Sequence, residues 1–226
     1  MTLGTDWDEL TIPYTDPRNG ETAMNNASDR YRYVLERPII EPPGGRWIYN
    51  GGATALLARL IEKGTGQQLH EFAREVLFEP LKIENSEWRR GIDGEPIAAS
   101  GLRLTPRDLA RIGVMLLGGG QWNGKQVIPG EWLSASFAPA ISMPDGQQYG
   151  YQWYLGTTPM NDGAGGVLQE KTIRAVGNGG QRLFLLPRLE LVVAVTAGNY
   201  NDPNDWRPPM VVLRDLILPA LRGRVS

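Results

Sequence analysis

Apolar residues follow a helical spacing through the first two thirds of the chain and a strand-like spacing through the last third. Residues 1–27 are polar, with one short helix expected near Glu21–Asn26. Ser28 and Asp29 form an N-cap signal for a helix running to Glu36, which Pro38 stops. The run from Gly52 to Lys63 places Ala55, Leu56, Ala58, Leu60 and Ile61 on a buried, nearly all-apolar helix that ends at Gly64 and Gly66. Leu69–Leu77 predicts a second helix with Phe72, Val76 and Leu77 inward. Thr105-Pro106-Arg107-Asp108 opens a third, with Thr as cap and Pro at the first helical position. Beyond Pro129 and its short helix the pattern changes. Tyr149–Leu155 and Lys171–Val176 predict strands, and Gln181–Leu186 with Glu190–Thr196 predict a hairpin around Pro187-Arg188. A last apolar helix starts at Asp205 or Arg207. Helices first and an antiparallel sheet with a covering C-terminal helix last define an α+β fold. One domain is expected over residues 1–226, mostly helical over 1–140 and sheet plus helix over 141–226.

Composition narrows the chemistry. The chain has 226 residues, 23 Lys+Arg against 25 Asp+Glu, one histidine and no cysteine. Cysteine-ligated metal, thiolate catalysis and disulfides are excluded, and one imidazole (His70) makes no histidine metal site. No cofactor is implied. A near-zero net charge gives no basic face, so nucleic acid is a poor partner. No apolar run approaches the ~18 residues of a membrane span. The opening Met1-Thr2-Leu3-Gly4-Thr5-Asp6-Trp7 lacks a basic and an apolar region, so it does not read as a signal peptide. That points to the cytoplasm for the chain as written, or the periplasm if a further segment lies upstream. Chemistry is left to Ser, Tyr, Lys, Arg, carboxylates and backbone amides.

Three stretches are more specific than packing requires. Pro43-Gly44-Gly45-Arg46-Trp47-Ile48-Tyr49-Asn50-Gly51-Gly52 delivers Tyr49 just before a buried helix. Ala99-Ser100-Gly101-Leu102-Arg103-Leu104-Thr105-Pro106-Arg107-Asp108-Leu109 precedes the third helix. Val176-Gly177-Asn178-Gly179-Gly180-Gln181 lies where one strand gives way to the next, and glycines there let a ligand approach backbone N–H groups. In this order and spacing the three stretches resemble the serine β-lactamase/penicillin-binding-protein superfamily, in its class C-like, esterase and amide-hydrolase branch. The resemblance implies hydrolysis of an ester or amide through an acyl-serine, with a small-molecule ester, amide or peptide as ligand. It implies that Tyr49 shuttles protons and that Gly177 is the strand glycine, with the Asn178 N–H as oxyanion donor. Gly179, Gly180 and Gln181 complete that wall, and Asn50, Gly51 and Trp153 are candidate pocket residues.

Three departures separate this sequence from the family pattern. Asn50 stands in the middle of the Tyr-x-Asn motif and Gly51 at its end. The strand reads Ala175-Val176-Gly177, without its charged or imidazole residue. No Ser-x-x-Lys occurs: the residues three before Lys63, Lys82, Lys125 and Lys171 are Leu60, Glu79, Trp122 and Leu168. In the family that motif and the first strands lie upstream of the region matched here, so the chain reads as lacking the N-terminal strands and the nucleophile. Two readings follow: a serine hydrolase inactive in this chain alone, or a non-catalytic ligand-binding or assembly module on the same scaffold. A sheet edge left by missing strands would favour a homo-oligomer. Ser100 reads as a loop serine, His70 as a helix surface residue, Arg103 and Asp108 as structural.

Overall fold

The computed structural model describes residues 1–161 and 166–221. The chain folds as two compact units, Met1–Thr105 and Pro106–Ser226, so the helices after Thr105 group with the sheet.

The first unit is built from short capped helices. Helix α1 (Gly20–Asn25) starts where the Asn19 side chain accepts the Glu21 and Thr22 N–H groups, and α2 (Arg30–Leu35) where Asp29 accepts that of Arg32. Helix α3 (Gly51–Thr65) is capped by Asn50 and ends at Gly66, whose φ of 74° is the left-handed cap glycine favours. Around Trp7, Met24, Val34 and Ala55 these helices close a small core. Gly52 permits it, because a Cβ there would lie 2.7 Å from Val34 and 2.8 Å from the Trp7 ring. The buried face of α3 differs from the expected one. Ala55 and Ala58 are inside, whereas Leu60 is 67% and Ile61 36% exposed, and Glu62 is buried instead. Its Oε1 accepts the Leu69 N–H at 3.2 Å, so a carboxylate serves the start of α4 (Leu69–Ala73). From Arg74 to Phe78 that helix widens into a π turn. The widening turns Phe78 inward and leaves Val76 40% exposed, against expectation. Arg30, 1% exposed, grips Asp93 bidentately at 2.5 and 2.6 Å and donates to the Pro96 carbonyl at 2.9 Å, which pins residues 91–96. Short strands β1 (Glu87–Trp88) and β2 (Leu102–Arg103) pair antiparallel.

The second unit begins with α5 (Pro106–Leu117), a β3–β4 ribbon (Gln121–Trp122, Lys125–Gln126) and α6 (Gly130–Ser136). A six-stranded antiparallel sheet follows, made of β5 (Ile141–Ser142), β6 (Gln148–Gly150), β7 (Trp153–Asn161), β8 (Val167–Gly177), β9 (Gln181–Leu186) and β10 (Leu191–Val195), in sequential order across the sheet. The stretch read as one strand, Tyr149–Leu155, is two: β6 and β7 fold back on each other at Tyr151-Gln152, both with positive φ (38° and 73°). Such a turn ordinarily advertises itself with Asn or Gly, and here neither residue does. Strand β9 is buried on both faces. Leu183 and Leu185 face α5, as Gly113 shows by its nearness to both, while Phe184 and Leu186 join Met160, Val193, Leu213 and Leu218. The last two of these come from the C-terminal helix, which runs as α7 (Arg207–Val211), a π segment (Val212–Ile217) and α8 (Leu218–Ala220). The antiparallel sheet with its C-terminal covering helix is therefore present as expected, and β8 and β9 are longer or as long as the pattern indicated.

Candidate functional site

Tyr49 is half-buried at the end of the turn into α3, with its ring 6.1 Å from that of Trp47. The next two residues are fixed from several sides. Asn50 is 2% exposed; its Oδ1 accepts the Ala53 N–H at 2.9 Å and its Nδ2 donates to Thr5 Oγ1 at 3.1 Å. Asn50 is thus a helix cap by its contacts. Gly51 donates its N–H to Glu9 Oε2 at 2.7 Å, and a Cβ at Gly51 would meet that carboxylate at 3.1 and 3.3 Å.

Behind this turn stands a group of acids and phenols that the sequence pattern did not single out. Glu9 (2% exposed) also accepts from the Trp7 indole at 2.6 Å and from the Tyr14 hydroxyl at 3.4 Å. Glu21 (6% exposed) accepts from the Ser100 hydroxyl at 2.6 Å, so Ser100 is tied to a carboxylate. Burial pushes the Glu9 carboxyl up to about 7; the Gly51 and Trp7 N–H groups oppose this, and the Glu21 charge adds to it. Burial and the charges of Glu9, Glu21 and Tyr49 push the Tyr14 phenol far above its ordinary value. This carboxylate pair disfavours phenolate.

In the second unit, Gly177 and Gln181 are paired ends of a tight hairpin whose tip is Asn178-Gly179-Gly180. Gly179 and Gly180 have φ of 82° and 89°, where a side chain is strained, and a Cβ on Gly179 would lie 2.6 Å from the Tyr200 ring. The Asn178 side chain exchanges hydrogen bonds with Asn201 at 3.0 Å each. Gly180 donates its N–H to Asp205 Oδ2 at 3.0 Å, so that amide is already engaged. Gln181 clamps the Ala197 backbone with its side-chain amide, donating to the carbonyl and accepting from the N–H. Arg182, 7% exposed, secures the hairpin from its base: one nitrogen donates to the Gly177 and Gln181 carbonyls at 2.6 and 2.8 Å, and another reaches Asp205 at 3.4 Å. Burial lowers the Arg182 pKa and Asp205 opposes the shift. Trp153, half-buried, opens β7 and meets the Phe137 ring edge-on at 5.3 Å. His70 lies beside Arg90, Arg103 pairs with Glu87 at 3.1 Å and Asp108 with Arg111 at 2.8 Å, each within its own unit. Among the described residues no helix is long and apolar enough to cross a membrane.

This fold has solved counterparts. It superposes on a proposed 6-aminohexanoate-dimer hydrolase from Bacillus anthracis with a TM-score of 0.73 at 20% identity, covering 96% of this chain and 60% of that one. An octameric penicillin-binding protein homologue from Pyrococcus abyssi gives a TM-score of 0.64 at 19% identity, covering 94% of this chain and 54% of that one. The architecture is that of penicillin-binding and β-lactamase-like proteins. The chain belongs to the beta-lactamase family, whose model matches residues 10–210. Among curated relatives, it is 27% identical over 173 residues to the 6-aminohexanoate-dimer hydrolase of Paenarthrobacter ureafaciens, covering 71% of this chain and 41% of the relative. It is 29% identical over 107 residues to the lovastatin esterase of Penicillium rubens, covering 47% of this chain and 25% of the relative. The chain therefore spans about half the length or less of these curated relatives.

Proposed function

We propose that this chain carries the proton-handling and oxyanion-binding part of a serine hydrolase that cleaves an ester or amide through an acyl-serine. In the first unit Tyr49 passes the proton; in the second the Asn178 backbone N–H stabilises the oxyanion at the hairpin of Gly177, Gly179, Gly180 and Gln181. Gly51 and Trp153 are further candidate pocket residues of their own units. The observation that carries the reading is the family match over residues 10–210 together with Tyr49 at the head of a doubly anchored helix. A 6-aminohexanoate-dimer hydrolase and a lovastatin esterase among the curated relatives support the hydrolytic reading. A phenol ordinarily titrates near 10 and is protonated at neutral pH. Its use as a base thus needs a cation, which the family's lysine provides and this sequence lacks at the required spacing.

The chain alone is accordingly inactive. Incubation with a fluorescent penicillin or a fluorophosphonate, read by intact mass, is expected to leave it unmodified. A covalent adduct would overturn the inactive reading and locate another nucleophile. In a longer polypeptide that places a Ser-x-x-Lys segment before Met1, the adduct is expected on that serine. Tyr49→Phe there should slow acylation by about 10²–10⁴-fold, the usual weight of general acid–base catalysis. Unchanged acylation would remove Tyr49 from the mechanism. The absent nucleophile also supports a second reading, a non-catalytic assembly module. The β10 edge, unpaired among the described residues, and the octameric neighbour favour self-association.

A further inference from the structure

We propose that Glu9 is a positioning residue for Tyr49, and that the protonation state of its carboxyl tightens or loosens the turn that presents the phenol. The inference rests on the reading of Tyr49 as the proton carrier, and it adds a group that controls that carrier. The geometry is direct. Gly51 is the first residue of α3 and lies two positions beyond Tyr49, and its N–H is one of the helix-start donors with no partner inside the helix. Glu9 Oε2 supplies that partner at 2.7 Å and simultaneously holds the Trp7 indole at 2.6 Å. A glycine at 51 lets the carboxylate come this close, since a Cβ would press on both carboxylate oxygens. A negative charge at this place favours the helix start. An ionised acceptor also makes a hydrogen bond roughly twice as strong as a neutral one.

The titratable groups facing Glu9 come from its own segment and from α1. Tyr14 donates to its other oxygen, Glu21 adds a like charge, and Ser100 holds Glu21 in place. On α3 the contact is the Gly51 N–H, and Tyr49 acts on Tyr14. When Glu9 takes up a proton, the charge-assisted bond to Gly51 becomes a neutral one, and the proton on Oε1 turns the Tyr14 contact round so that Glu9 donates. Tyr49 then sits on a softer turn with a rearranged neighbour. Burial raises the Glu9 pKa to about 7, which puts the transition where it matters for a phenol in use near neutral pH.

NMR on this chain tests the coupling without any hydrolysis. Indole-¹⁵N-labelled Trp, ¹⁵N-labelled Gly and ring-carbon-labelled Tyr are followed from pH 5 to 9, with assignments from Trp7→Phe, Gly51→Ala and Tyr49→Phe. The Trp7 indole, the Gly51 amide and the Tyr49 ring carbon are expected to titrate together, with one midpoint near 7. Glu9→Gln keeps an oxygen acceptor and should retain the bonded Gly51 and Trp7 signals while abolishing the step. Glu9→Ala should lose both bonded signals at every pH. Glu21→Gln leaves the Gly51 contact alone and should lower the midpoint, because a like charge is removed. A Trp7 step without a Tyr49 step, or a Tyr49 step that survives Glu9→Gln, would overturn the proposal. Failure of the hydrolase reading shows separately, in the acylation of the longer polypeptide.

Discussion

Between its ordinary value of 4.5 and about 7, native Glu9 keeps a proton that the unfolded chain has released. Stability from this group is therefore fully present below pH 4.5 and is lost as pH rises through the folded value near 7. The shift amounts to about 3 kcal/mol at the alkaline limit, taking roughly 1.4 kcal/mol per pKa unit. Glu9→Gln removes the titration and should flatten the pH profile, so the variant gains on the parent when thermal unfolding is compared at pH 5 and pH 8. Parallel profiles for the two proteins would sink the assignment. The places of Tyr49, just before α3, and of the glycine run, at the β8–β9 hairpin, were legible as turns between elements. Glu9 was not, since Asp6-Trp7-Asp8-Glu9 reads as an acidic loop and only α1 and α3 closing around it make it a buried acid. Arg182 is a similar case. It stands at the head of the apolar run of β9, and its grip on the hairpin carbonyls exists only once β8 has turned back beside β9. Asp205 lies 23 positions further along, and its N–H and guanidinium partners belong to the same tertiary closure.

Helix starts were legible to within a residue or two because caps are local: Asn50 and Asp29 each bond the third residue onward. What the pattern missed arises where an element departs from its ordinary period. The π turn at Arg74–Phe78 shifts the inward face by part of a turn, and the Tyr151-Gln152 reversal hides inside an apolar run. Gly113 is the reverse case, a residue that looks like a flaw in α5 and is needed there. A Cβ at this position would lie 2.5 Å from Val192 Cγ1, 3.1 Å from Leu183 and 3.2 Å from Leu185. Alanine would improve helix propensity by about 1 kcal/mol. Overpacking of this kind costs roughly 1–3 kcal/mol, and Leu183 and Leu185, 2% and 0% exposed, have no room to yield. With the packing term the larger, Gly113→Ala should lower stability by up to about 2 kcal/mol. Urea unfolding measures it as a lower midpoint at constant slope, and a raised midpoint would show that α5 stands off the sheet.

On the scale of the molecule, the order of helices first and sheet last was readable from the change of period, but which strand lies at an edge was not. Periodicity reports which face a strand buries and says nothing of its neighbours. Strand β10 ends the sheet: Leu191–Val195 pairs with β9 on one side, and no strand among the described residues pairs with the other. The other edge strand, β5, spans two residues, whereas β10 spans five and reads Leu-Val-Val-Ala-Val. It carries no charge, proline or bulge to discourage pairing, the devices by which exposed edges are ordinarily blunted. Its outward N–H and C=O groups therefore form a template for another strand, and a second copy of β10 offers the same apolar sequence. Size-exclusion chromatography with light scattering is expected to show mass rising with concentration. Hydrogen exchange should then protect, in the associated form, amides of residues 191–195 that exchange quickly in the dilute one. A monomer at the highest attainable concentration, or association that leaves those amides unprotected, would mean that β10 does not recruit a strand.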